Sequence, residues 1–387
     1  MSPAMTYVPA PHESPSTVVH APSSRLVSLD ALRGFDMLWI TGGGLLGAAL
    51  RAFGSDSNAA PLALQLQHVK WEGFHFEDLI FPMFVFIAGV SLVFSLPKMV
   101  VKDGFGGAVR RIFSRTVILF ALGIFVSGGF SRGFDDVRWL GVLQRIALAY
   151  CGACLLSLWL KPRGLIAATL VLLGGYWALL TFVPVPMFGA GDFNEGHNLT
   201  NYLDRMYLPG RRYDVDHDPE GLLSTLPAIA SCLIGVLAGL WLKGEAKPGR
   251  KALVLAICGA VFVGLGWAWS PWFPVIKKLW TSSFVLVAAG WSAMLLAVFY
   301  WIIEIRGWRR WAEPFVWIGL NPIIIYVGGN MIEWPKIAAR FTGGDLQKWL
   351  NFSAHPGAGD LLTAFVAMGF SFLLAWFLHR RKLYLRA

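Results

Sequence analysis

Residues 68–91 read HVKWEGFHFEDLIFPMFVFIAGVS, and the character of the chain changes at one point within them. Up to Asp78 the stretch carries His68, Lys70, Glu72, His75 and Glu77; from Leu79 no charge appears until Lys98. A hydrocarbon core about 30 Å thick needs about 20 helical residues at about 1.5 Å each. The run from Leu79 therefore predicts a membrane-spanning helix with a polar mouth.

Working outward from this helix, comparable blocks recur near 35–53, 77–97, 110–128, 139–160, 164–183, 221–242, 251–269, 281–303, 314–333 and 360–379. The expected fold is all-α, a polytopic transmembrane bundle of about ten helices. Composition agrees: 56% hydrophobic residues, 14% charged residues and 18 tryptophans exclude an ordinary soluble surface. The gaps between blocks are short, so residues 25–387 read as a single transmembrane domain and not as several soluble ones. Residues 1–24, rich in Pro, Ser and Ala, lack a basic n-region and an apolar h-region; they read as a disordered tail, not a signal peptide.

In a membrane protein, excess Lys and Arg gather on cytoplasmic loops. The net charge of +10 thus reports orientation and contact with the lipid bilayer, and no nucleic acid partner is expected. With the N-terminus inside, 20 of the 33 basic residues fall on the cytoplasmic side, 12 fall outside, and Arg145 stays within a helix. Both termini are therefore expected in the cytoplasm, and the expected location is a bacterial inner membrane, crossed many times. The four cysteines all fall in apolar segments, where Cys151 and Cys154 read as packing residues on one helix. No internal repeat of the kind many transporters carry is visible.

Outer loops are expected at 54–76, 184–220 and 334–359. Loops of this length in a compact membrane domain are often functional. The 192–214 stretch, dense in Asn, Asp, Arg and Tyr, suits hydrogen bonding to a polyhydroxylated ligand, or is simply a solvated loop.

Ionisable groups inside a membrane are costly and so become candidates for function. Asp30, Arg33 and Asp36 recur every three residues on one face of the first helix, which reads as an ion-pair cluster. Arg145, after Gln144, lies deeper and needs an anionic or carbonyl partner. His68 in the outer loop and Asp78 at the mouth of the second helix have the chemistry of a general base and its orienting carboxylate. His75 precedes Asp78 by one turn; such pairs also serve only to cap helices. No further His or Cys stands at ligand spacing, so no metal is expected.

Six blocks carry a resemblance: SLDALRG at 28–34, H-x-x-W-x-G with DLIFPMFVFIAG at 68–89, GVLQRIALAY at 141–150, DPEGLLST at 218–225, LWTSSFV at 279–285 and GLNPIIIYVG at 319–328. In this order they resemble the heparan-α-glucosaminide N-acetyltransferase family and its bacterial relatives. The resemblance implies acetyl transfer from cytoplasmic acetyl-CoA, the co-substrate, to the amino group of a glucosamine-type sugar across the membrane. It places the family's active-site histidine on His68. Asp30, Arg33 and Asn321 are the candidates for the acetyl-CoA half. Gln144, Arg145, Asp218, Glu220, Ser224 and the 192–214 loop are candidates for the sugar half, with Trp71, Trp280 and Tyr326 lining the cavity. One departure is the run Gly42, Gly43 and Gly44, where the family places a cofactor-holding asparagine.

The expected acceptor is a periplasmic amino sugar. Two alternatives stay open: an amino-sugar or oligosaccharide transporter or flippase, and an acyltransferase with a different donor or acceptor. A homodimer is also open, since no residue marks an interface.

Overall fold

The structure, a computed structural model, describes residues 26–54, 58–131 and 133–384. The tail expected at 1–24 lies outside the described residues. The order of helices is α1 Val27–Arg51, α2 Ala60–Gln65, α3 Phe76–Val126, α4 Val142–Trp159, α5 Pro162–Phe182, α6 Leu199–Tyr207, α7 Thr225–Lys243, α8 Pro248–Trp269, α9 Ser282–Tyr300, α10 Glu313–Leu320, α11 Pro322–Met331, α12 Trp334–Thr342, α13 Asp345–Ser353 and α14 Ala358–Arg380. Only isolated bridges, and no strands, occur among the described residues.

Among the described residues, seven helices are long and apolar enough to cross a membrane: α3, α4, α5, α7, α8, α9 with its extension to Ile305, and α14. The expected all-α polytopic bundle is borne out, with two differences in how its legs are built. The blocks expected at 77–97 and 110–128 are one run of 51 residues, interrupted at Gly104 with φ 69°. A straight helix would hold Asp103 and Arg111 about 12 Å apart along its axis. Their 3.2 Å ion pair shows how sharply the chain bends there, so α3 is two arms. The block expected at 314–333 is broken into α10 and α11 at Asn321 (φ −132°, ψ 47°). Pro322 has no N–H to continue the first ladder and restricts the residue before it. α1 packs against α3, α10 and α14.

Small residues bring the central helices into backbone contact, as in other membrane bundles. A Cβ on Gly235 of α7 would stand 2.0 Å from the Phe86 carbonyl oxygen of α3, and one on Gly34 of α1 would stand 1.7 Å from that of Phe315 in α10. The core between them is filled by Met83, Phe86, Ile87, Trp280 and Phe284. Alternating helix directions give the bundle two faces. One carries His68, the starts of α3, α4, α7 and α9, and the segments 58–76 and 184–224. The other carries the bend at Gly104, the start of α1 and the end of α14.

Candidate active site and transmembrane cavity

Asp78 is the third residue of α3, and that position decides its geometry. The first turn of a helix has N–H groups without intrahelical partners, and a carboxylate at N3 can fold back onto the capping residue. Its Oδ2 accepts the N–H of His75 at 3.1 Å and of Val69 at 3.2 Å. This pins the carboxylate and leaves Oδ1, which lies 3.0 Å from Nδ1 of His68. The Asp78 side chain is 1% exposed and that of His68 58%, so the carboxylate is sealed while the ring is open to the face. His75 caps α3, and its Nδ1 meets the Gln67 carbonyl at 2.9 Å, fixing the turn that presents His68.

A third group completes this centre, and it was not read from the sequence. Lys277 Nζ stands 3.0 Å from Nδ1 of His68 and 3.4 Å from Oδ1 of Asp78. Backbone pairing brings it there: Gly73 donates its N–H to the Val275 carbonyl at 2.9 Å, and Glu72 bridges Ile276. Burial pushes the Lys277 ammonium below the ordinary lysine range, against the pull of Asp78. The signal in the sequence was its place just before the LWTSSFV block.

Beside this centre, the turn Asp218-Pro219-Glu220 is clamped by Arg138. The guanidinium donates to both oxygens of Asp218 at 2.8 Å each and to Glu220 at 2.6 Å. Burial opposes the charge on Arg138, yet its bonds to Asp218 and the charge of Glu220 hold it above the ordinary arginine range. Asp218 stays below the usual carboxylate range, because Arg138 outweighs its burial, whereas burial and the neighbouring Asp218 push Glu220 up. Asp204 accepts the N–H of Leu222 at 2.8 Å, and burial lifts its carboxyl to about 6.

Gln144, Arg145, Ser224 and Trp280 lie directly under that turn. Arg145 donates to Ser224 and, at 3.3 Å, to the Gly221 carbonyl, with its guanidinium 4.9 Å from the Trp280 ring centroid. Gln144 donates to the Arg138 carbonyl at 3.5 Å, and the Trp280 indole to Ser231 at 3.0 Å. All four are fully buried, so the structure places Trp280 in the packed core and not on a cavity wall. Trp71 sits at the edge of the 192–217 segment. Its indole donates to the Phe193 carbonyl at 3.0 Å, and its ring stands 5.9 Å from the Lys278 ammonium and meets the His217 ring edge-on at 6.2 Å. Glu195, Asp214 and His217 bring potential metal-ligating atoms within 4.8 Å of one another. The Lys278 ammonium already bonds both carboxylates there, at 2.7 and 3.0 Å.

A cavity of about 560 Å³ lies within the bundle. Lys98, Lys102, Arg111 and Arg115, from the two arms of α3, line it on the face opposite His68. Phe84, Val142 and Tyr326 line its other end, where Val142 is the first residue of α4. From Lys102 back to Phe84 is about 27 Å along a helix axis, close to the thickness of a hydrocarbon core. Phe84 is only about 9 Å of helix from Asp78. Of the acetyl-CoA candidates, Arg33 lines the cavity and bonds Asp30 at 3.2 Å, the Gly319 carbonyl at 3.3 Å, and Ser91. Asn321 instead donates to the Leu383 carbonyl at 2.9 Å, behind the wall formed by Leu320 and Pro322. Tyr326 lines the cavity.

Comparison with known proteins agrees with the six-block resemblance. The family profile described as heparan-alpha-glucosaminide N-acetyltransferase, catalytic, matches residues 25–204. The chain is 28% identical over 378 residues to the heparan-alpha-glucosaminide N-acetyltransferase of Homo sapiens, covering 82% of this chain and 55% of that protein. Against the Mus musculus protein it is 27% identical over 379 residues, covering 82% and 56%. The chain thus spans about half the length of the curated relatives it matches, and the resemblance read from the sequence is borne out.

Proposed function

We propose that this relative of the heparan-α-glucosaminide N-acetyltransferases is a membrane acetyltransferase, moving an acetyl group from cytoplasmic acetyl-CoA to the amino group of a glucosamine-type sugar on the periplasmic side of a bacterial inner membrane. One observation carries the proposal: an open imidazole backed by a buried carboxylate stands on one face, about two helical turns from a cavity whose other end is lined by four basic residues.

The phosphates of acetyl-CoA would meet Lys98, Lys102, Arg111 and Arg115, which line the cavity end opposite His68 and on this reading face the cytoplasm. The apolar middle, with Met37, Leu92 and Ile146, suits the pantetheine arm. The sugar waits against Trp71 and the 192–214 segment, where an aromatic ring and fixed carboxylates recognise hydroxyl and amino groups. With Nδ1–H of His68 donated to Asp78, Nε2 accepts a proton as the acceptor amine attacks the thioester carbonyl. Lys277 places a positive charge beside the oxyanion of the tetrahedral intermediate. Transfer occurs in a ternary complex, and the clamped Asp218-Pro219-Glu220 turn fixes the wall between sugar and cavity.

The test uses sealed vesicles that expose the Gly104 face outward, supplied with labelled acetyl-CoA outside and glucosamine inside. Labelled N-acetylglucosamine should accumulate in the lumen, and His68→Ala should abolish it. Counterflow of sugar without any acyl donor, unaffected by His68→Ala, would instead identify a transporter.

A further inference from the structure

The turn that precedes the clamped Asp218 carries a buried histidine that the His68 centre does not use. His217 is 1% exposed, and its two ring nitrogens have different surroundings. Nδ1 lies 3.1 Å from Oδ1 of Asp216. Nε2 has no hydrogen-bond partner, and it faces Oδ2 of Asp214 at 3.2 Å and Oε1 of Glu195 at 3.6 Å. Arg205 of α6 draws the two stretches together, donating to the Gly196 carbonyl at 2.8 Å and to Asp216 at 3.0 Å. The Asp214 N–H closes the turn onto the His217 carbonyl at 3.1 Å. Trp71 flanks the group, its ring edge-on to that of His217.

A neutral imidazole that donates one N–H to a carboxylate presents a lone pair at its other nitrogen. Burying that lone pair against two anionic oxygens is unfavourable unless a cation stands among the three atoms. The Lys278 ammonium shows that the place is built for positive charge. It donates to Oε1 of Glu195 at 2.7 Å and stands 3.0 Å from Oδ2 of Asp214, yet it leaves Nε2 of His217 without a hydrogen bond. A divalent ion can engage all three atoms, which lie within 4.8 Å of one another. One histidine nitrogen with two carboxylate oxygens is a donor set that zinc accepts. A carboxylate behind the ring, here Asp216, is the arrangement that fixes the tautomer of a metal-ligating histidine. Charge agrees. With a neutral imidazole, Glu195, Asp214 and Asp216 outweigh Lys278 and Arg205 by one negative charge, and a divalent ion in place of the ammonium brings the cluster to zero. The Lys278 side chain is already 26% exposed on a flexible stem, so it can turn to solvent. Spacing along the chain hides the set, because Glu195 precedes α6 and the other two ligands follow it.

We propose that Glu195, Asp214 and His217 bind one divalent transition ion of the zinc class, which displaces the Lys278 ammonium, with Asp216 orienting the His217 ring. The ion ties the segment before α6 to the turn after it. Three protein ligands leave one tetrahedral position for a water or a ligand oxygen. The site is independent of acetyl transfer, since binding of the ion needs neither donor nor acceptor.

Calorimetric titration of Zn2+ into the full chain in lipid nanodiscs, stripped with a chelator and free of any metal-binding tag, tests this near neutral pH. One equivalent should bind to the wild-type chain and to His68→Ala alike, and it should be lost in His217→Ala. A buried histidine can also be needed for folding, so Glu195→Gln, at a half-exposed side chain, gives a second reading and should weaken binding by about 10-fold or more. Asp216→Asn should weaken it by about 10- to 100-fold without removing the equivalent. Lys278→Met takes away the competing ammonium and should tighten binding by about tenfold. No binding to the wild-type chain, an equivalent that keeps its affinity in His217→Ala or in Glu195→Gln, or one that is lost in His68→Ala would overturn the site. Unchanged or weaker binding in Lys278→Met would overturn the displacement. Wild-type acetyl transfer in His68→Ala would overturn the enzyme reading instead, and leave the titration standing.

Discussion

The mouth of α3 and the Asp218-Pro219-Glu220 turn both bury carboxylates against a cation on the same face, and they are finished differently. At the turn, Arg138 closes on both acids and is itself 13% exposed, while the backbone N–H groups of Tyr213 and Glu220 take what remains of Asp218. At the mouth of α3, Asp78 is sealed as thoroughly, but its partner His68 keeps most of its ring in the open. A network whose polar groups all answer one another holds structure. One that leaves a basic nitrogen uncovered is arranged to meet a substrate.

Substitutions at the two sites should therefore separate turnover from stability. The largest effect belongs to His68→Ala, which should lower acetyl transfer by about 10³-fold or more with an unchanged thermal midpoint; a purely structural ring would reverse that pattern. Arg138→Gln should do the opposite in kind, destabilising the fold by about 3 kcal/mol, because it strands two buried acids. Denaturation in detergent reads it, and a stable but inactive variant would move Arg138 into the reactive group. Lys277→Met should reduce kcat by about 10- to 100-fold while leaving acetyl-CoA binding intact by calorimetry.

The smallest effect is a pH dependence at the closed site. Burial lifts the Asp204 carboxyl from 3.8 to about 6, so the folded state holds its proton where the unfolded state has released it. The stability this group contributes is complete below about pH 4 and is lost as pH rises through about 6. Asp204→Asn should flatten that window and match or exceed wild-type stability at neutral pH. Melting curves across the window check it, and an unaltered slope would place the titrating group elsewhere.

The contrast between the two sites was only partly legible in the sequence. The spans were, because lipid forces about 20 apolar residues per crossing and ten such blocks stand in the chain. The break in the ninth block also had its signal in Pro322, although the block reads as continuous by hydropathy. His68 and Asp78 are ten residues apart and could be paired from helix-capping logic. Lys277 could not, since its distance to His68 is set by pairing across 209 positions. The triad Asp30, Arg33 and Asp36 was visible as one face, yet spacing alone does not say which acid the arginine takes. That choice depends on Ser91 and Gly319, which arrive from α3 and α10.

The central claim is that a donor admitted between the arms of α3 can reach an imidazole on the opposite face. A structure with a non-reactive acetyl-CoA analogue tests it most directly. The phosphates are expected beside Lys98, Lys102 and Arg111, with the acyl carbonyl carbon within about 4 Å of the place where an amine bonded to Nε2 of His68 would stand. An analogue bound outside the cavity, or one whose acyl end stops more than a helical turn short of His68, would contradict it.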